Sequence, residues 1–149
     1  MLDRAAFINR LLGRPYKSGA NGPEAFDCYG LTRLLQRTFF DRDMPAFTMP
    51  REAGRIAIAS AIAMHEERHR WFPIARPIDG AIAVMSRQDC GFHMGTYLDL
   101  DGGVVVHALD VPGVCADAPF QLTTPAGGRW HVAWNGFAPD LAAAMRSAA

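Results

Sequence analysis

Two residue types capable of covalent and proton-transfer chemistry stand out in this chain, three cysteines (Cys28, Cys90, Cys115) and five histidines (His65, His69, His93, His107, His131). A thiol attacks as thiolate, and a helix N-terminus favours that form through its unpaired N–H groups and macrodipole. Cys28 opens a segment of helical spacing, with Asp27 placed as its N-cap. The glycine-containing loop before it and Gly30 after it would admit a substrate backbone at close range. The same position also suits a small buried residue in a first helical turn, so packing and catalysis stand level on position alone.

A cysteine nucleophile needs a base, and the base needs a group to orient it. His93 and His107 flank a predicted hairpin. If that hairpin is centred on Leu100 without a bulge, the two face each other directly, with Cβ atoms roughly 5 Å apart. The plain alternative is two half-buried histidines with separate partners.

A rival chemistry lies upstream. His65-Glu66-Glu67-Arg68-His69 fits His-Glu-x-x-His, in which two histidines on one helical face bind zinc and the first glutamate acts as base. A catalytic zinc needs a third protein ligand. No glutamate follows Glu67, so an aspartate such as Asp79 or Asp89, or a distant histidine such as His93, would have to complete the set, and Trp71-Phe72-Pro73 ends the helix. The run equally suits an exposed, charged helix end.

The remaining cysteines fit structural roles. Cys90 sits in a turn and Cys115 in an edge segment, and three widely spaced cysteines make no disulfide framework. Trp71, Trp130 and Trp134 read as core or lid residues, and His131 as a surface histidine.

The elements that must position these groups follow from periodicity. Apolar residues at Leu2, Ala5, Ile8 and Leu11 predict a helix over 2–12, ended by Gly13 and Pro15. Residues 17–25 are a loop by composition. Leu31, Leu34, Leu35 and Phe39 predict a helix over 28–40, and the Ala- and Ile-rich stretch 51–70 a third. Strands are expected over 80–85, 92–98, 104–109 and 130–134, with a frayed helix over 140–149. Helices first and strands second, without βαβ alternation, indicate one α+β domain over residues 1–149.

Composition narrows the function. The 149 residues are 50% hydrophobic and 20% charged, as in an ordinary globular domain. Lys plus Arg and Asp plus Glu balance at 15 each, which argues against a nucleic-acid partner. No apolar run is long enough to span a membrane. The N-terminal residues are too polar for a signal-peptide core, so synthesis in the cytoplasm without an export signal is expected.

Several segments, in order, resemble the NlpC/P60 cell-wall peptidases of papain-like fold. Gly13-Arg14-Pro15-Tyr16 resembles the family's Gly-x-Pro-Tyr. Phe26-Asp27-Cys28-Tyr29-Gly30-Leu31 resembles its nucleophile motif, and Asp79-Gly80-Ala81-Ile82 sits where the family has Gly-Asp-hydrophobic. His93-Met94-Gly95-Thr96-Tyr97-Leu98 and Val106-His107-Ala108 are similar to its two histidine motifs. The resemblance implies N-terminal helices packed on an antiparallel sheet, with Cys28 as nucleophile, His93 as base, His107 as the residue orienting it and Tyr16 shaping the site. It implies no cofactor and no metal. Its substrate would be a peptidoglycan stem peptide, cut at a γ-D-glutamyl–diaminopimelate type of bond. Tyr29 after the cysteine is similar to the phage-tail branch of the family. That implies tail-protein partners and a virion or prophage-tail location, with particle assembly delivering the enzyme to the wall. Ala81 departs from the usual aspartate. A catalytically silent tail component on the same fold, and an amidase or acyltransferase using the same three residues, are the other readings.

Overall fold

The structure is a computed structural model that describes residues 2–44 and 70–139. The expected helices over 51–70 and 140–149 therefore lie outside the described residues, apart from Arg70, as do His65, Glu66 and His69.

The first helix, α1, spans Arg4–Leu11. It begins where Asp3 Oδ1 accepts the N–H of Ala6 at 3.1 Å, which trims the expected 2–12 at its start. Ile8 and Leu11 form its buried stripe. The second helix, α2, spans Cys28–Phe40, as the periodicity predicts, and ends at Asp41 in the left-handed region. Between them, Phe26 N–H donates to Pro15 carbonyl and Lys17 N–H to Phe26 carbonyl, each at 3.0 Å. This short bridge pins Tyr16 beside Phe26, two residues before the cysteine.

Among the described residues six strands follow: β1 (Trp71–Ile74), β2 (Ile82–Arg87), β3 (Cys90–Leu98), β4 (Val104–Leu109), β5 (Gly113–Asp117) and β6 (His131–Phe137). A short helix, α3 (Pro119–Thr123), precedes β6. The strands form one sheet in the order β1-β6-β2-β3-β4-β5, every neighbouring pair antiparallel. Trp71-Phe72-Pro73 belongs to strand β1 rather than to the end of a helix. Its proline is tolerated because β1 lies at the sheet edge.

Period-2 alternation divides the sheet into two buried faces. On one, Leu98, Val106, Ala108 and Val114 pack against Ile8, Leu11, Leu31 and Leu35 of the helices. On the other, Ala83, Met85 and Val105 pack with Leu122 and Trp130. The helical face also carries a polar tie. The Gln36 amide donates to Gly80 carbonyl at 3.0 Å, and Arg42 donates to Gln36 Oε1 at 2.8 Å.

Candidate active site

Cys28 is the first residue of α2, and its neighbour Asp27 fastens two pieces of backbone at once. One carboxylate oxygen accepts Gly30 N–H at 2.6 Å and the other accepts Gly19 N–H at 2.9 Å. Gly30 does not open the site to a substrate backbone. A Cβ there would lie 2.3 Å from Ala20 carbonyl oxygen, so the missing side chain lets the protein's own 17–25 loop seat against α2.

The sulfur meets the sheet where a ladder stops. Pairing between β3 and β4 runs from Leu98↔Val104 to Gly95↔His107, so Met94 lies one residue past the last β4 partner. Cys28 packs against Met94 there, close enough for the Met94 N–H to favour its thiolate. Cys28 thus packs against Tyr29, Met44, Ile82 and Met94 at the open end of the β3–β4 ladder, one residue along β3 from His93.

The thiol's surroundings oppose its ionisation. Desolvation, then the Asp27 charge, push Cys28 up to about 12, outweighing the N–H groups of Met94 and Tyr29 that favour the thiolate. The expectation that the helix terminus would lower this pKa is therefore reversed. Ionisation here needs a base at the sulfur rather than a helix dipole.

His93 and His107 are both buried and share the sheet face opposite α2. They are not directly opposed. The turn covers 99–103 and centres on Asp101 rather than Leu100, so His107 stands across from Gly95. The offset is two residues, which preserves the face, and the rings meet diagonally. His93 Nε2 lies 2.8 Å from His107 Nδ1. Gly95 permits this approach, since a Cβ there would come within 2.9 Å of His107 Cβ. The other side of the His93 ring stacks on Trp130, with centroids 5.0 Å apart and planes inclined by 27°. Trp130 is a core residue, as its sequence position suggested.

Beyond His107, β5 adds two groups not singled out from the sequence as site residues. His107 Nε2 lies 2.8 Å from Asp117 Oδ2 and 3.4 Å from Cys115 Sγ. The signal was present in the alternation Cys115-Ala116-Asp117 after Gly113, which points both side chains to one face. Asp117 is held below the usual carboxylate range, chiefly by its hydrogen bond to His107, while burial and the Asp117 charge push Cys115 up to about 12.

His107, Cys115 and Asp117 present donor atoms within 4.8 Å of one another, of types that zinc accepts. Tetrahedral ligands about 2.0 Å from a zinc stand roughly 3.3 Å apart. The 2.8 Å between His107 Nε2 and Asp117 Oδ2 is instead a hydrogen-bond separation.

Tyr16 is half-buried and packs against the helical core beside Phe26. Cys90 opens β3, buried, and donates to Phe92 carbonyl. His131 is exposed. The groups expected to complete a zinc site with His65 and His69 are engaged elsewhere: Asp79 with Arg4 and the Asp99 N–H, Asp89 with Arg87, and His93 with His107.

No family model and no curated protein matches the sequence. Among solved structures, the chain is similar to the crystal structure of the NlpC/p60 domain of peptidoglycan hydrolase SagA. The TM-score is 0.51 at 20% identity, and the match covers 87% of this chain and 92% of that one. Helices ahead of a single antiparallel sheet, with Cys28 brought to the strand that carries His93, are thus laid out on the NlpC/P60 fold.

Proposed function

We propose that the protein is a cysteine peptidase of peptidoglycan stem peptides, with Cys28 as nucleophile, His93 as general base and His107 orienting His93. One observation carries the reading. Cys28 packs against Met94, directly after His93, and His93 Nε2 is 2.8 Å from His107 Nδ1. The solved structure of like fold is a peptidoglycan hydrolase domain, which supports the substrate class.

Because the thiol is held up to about 12, it rests protonated at neutral pH and needs a base to ionise it. His93 takes the thiol proton as sulfur attacks the amide carbonyl, and the imidazolium then protonates the leaving amine. The Cys28 backbone N–H at the start of α2 stabilises the oxyanion. Water activated by His93 releases the acyl group. Tyr16, pinned by its bridge to Phe26 two residues ahead of Cys28, shapes the entrance. A γ-D-glutamyl–diaminopimelate type bond and a tail-associated setting are the finer parts of the proposal, the latter resting on Tyr29 alone.

Digestion of purified peptidoglycan, with new termini identified by mass spectrometry, tests it. The wild-type chain should release peptides cut after the γ-D-glutamyl carbonyl. Cys28→Ala should release none while keeping its circular dichroism, and a fully active Cys28→Ala would overturn the assignment.

A further inference from the structure

The His93–His107 pair works only if its protons sit on the right nitrogens. Neutral imidazole has one N–H and one bare nitrogen, and the hydrogen bond at one fixes the other. If His93 carried its proton on the nitrogen that must accept one, it could not act as a base.

The arrangement can be read from the edge strand inward. An ionised carboxylate only accepts, and the hydrogen bond from His107 keeps Asp117 ionised below the usual range. His107 Nε2, 2.8 Å from Asp117 Oδ2, must therefore carry the proton. His107 Nδ1 is then an acceptor. It lies 2.8 Å from His93 Nε2, which must be the donor. A neutral His93 protonated at Nε2 has its basic lone pair on Nδ1.

We infer that Asp117 is a positioning residue, acting through His107 to hold the His93 proton on Nε2 and so keep Nδ1 as the base. This rests on the proposed role of His93 toward Cys28. The balance is simple. When the proton leaves Cys28 sulfur for Nδ1, the His93 imidazolium still donates from Nε2 to His107, and no proton farther out moves. The chain Asp117–His107–His93 serves both charge states of His93 without rearranging.

Cys115 is the competing neighbour, since its sulfur is 3.4 Å from the same His107 nitrogen. It is the weaker determinant, because its own proton is held up to about 12 and it donates to the same Asp117 oxygen at 3.6 Å.

The test uses the full chain labelled with ¹⁵N-histidine, in EDTA, read by imidazole nitrogen shifts, together with the rate at which iodoacetamide alkylates Cys28, located by peptide mass. In the wild type, His93 and His107 should both be Nε2–H tautomers. Asp117→Asn is nearly isosteric and sits on a part-exposed edge strand. Its amide can donate to His107 Nε2, so His107 should shift toward the Nδ1–H form, carrying His93 with it. Alkylation of Cys28 should fall about ten- to a hundredfold, the usual cost of losing an outer hydrogen-bond partner. Cys115→Ala should keep the wild-type tautomers. Unchanged tautomers and alkylation in Asp117→Asn would overturn the inference, and so would a tautomer shift seen in Cys115→Ala instead. Neither readout needs a substrate. A chain that cuts no peptidoglycan can still satisfy this test, and one that cuts peptidoglycan can still fail it.

Discussion

His107 stands across the β3–β4 ladder from Gly95, and its ring crosses diagonally to place Nδ1 2.8 Å from Nε2 of His93. The contact needs both the two-residue offset and the empty space over Gly95. Four predictions test this pair and the scaffold around Cys28.

Removing the base should expose the thiol's own resistance to ionisation. In His93→Ala nothing takes the proton from a sulfur held to about 12. Alkylation of Cys28 at neutral pH should fall about 10²- to 10³-fold, the scale of general-base assistance. The rate should recover only toward strongly alkaline pH. Stopped-time alkylation across pH, resolved by peptide mass, checks this.

His107→Ala should be milder for hydrolysis and harsher for the fold. His93 remains in place against Trp130, so activity should drop about ten- to a hundredfold rather than vanish. A buried ring nitrogen of His93 loses its partner, at about 1–3 kcal/mol. Peptidoglycan release and urea unfolding, measured on the same preparation, separate the two effects.

Gly30→Ala should act at a distance through the loop. The new Cβ would meet Ala20 carbonyl oxygen at 2.3 Å, so residues 17–21 must move. The Asp27 N–H to Ala20 carbonyl bond, now 2.9 Å, would be strained with them. A cost of about 1–3 kcal/mol is expected, as for other overpacked sites. A urea midpoint equal to wild type would show that the loop does not rest on α2.

Stability should fall on the alkaline side. Cys28 and Cys115 are each raised from 9.0 to about 12 in the folded chain. Between those values the folded state keeps protons that the unfolded chain releases, so unfolding becomes easier as pH rises. This contribution is complete below pH 9 and gone above 12. Unfolding free energies over pH 8–11 should slope downward, with a shallower slope in Cys28→Ala and in Cys115→Ala.

Much of the scaffold was legible because its punctuation is local. Asp27 before Cys28 and the apolar spacing from Leu31 to Phe39 mark α2, and strand β4 appears at its expected limits beside the Asp99–Gly103 turn. The register was not legible. Asp101, Gly102 and Gly103 all take positive φ, which makes a longer turn than a hairpin centred on Leu100. The error was even, so the histidines kept a common face. The pKa of Cys28 was misread because a helix start is visible in sequence, whereas burial and the nearness of the Asp27 charge come only with the fold. Asp117 was missed because its partner lies ten residues back on another strand. Strand β1 was missed because its pairing with β6 joins segments about sixty residues apart.

Trp130 stacks on His93 and also lies under the Arg87 guanidinium. An imidazolium quenches indole emission far more than a neutral imidazole does. The ring proposed to change charge during turnover is therefore stacked on one of the protein's three tryptophans. A change in its protonation should appear as a step in intrinsic emission, which makes the site its own optical reporter.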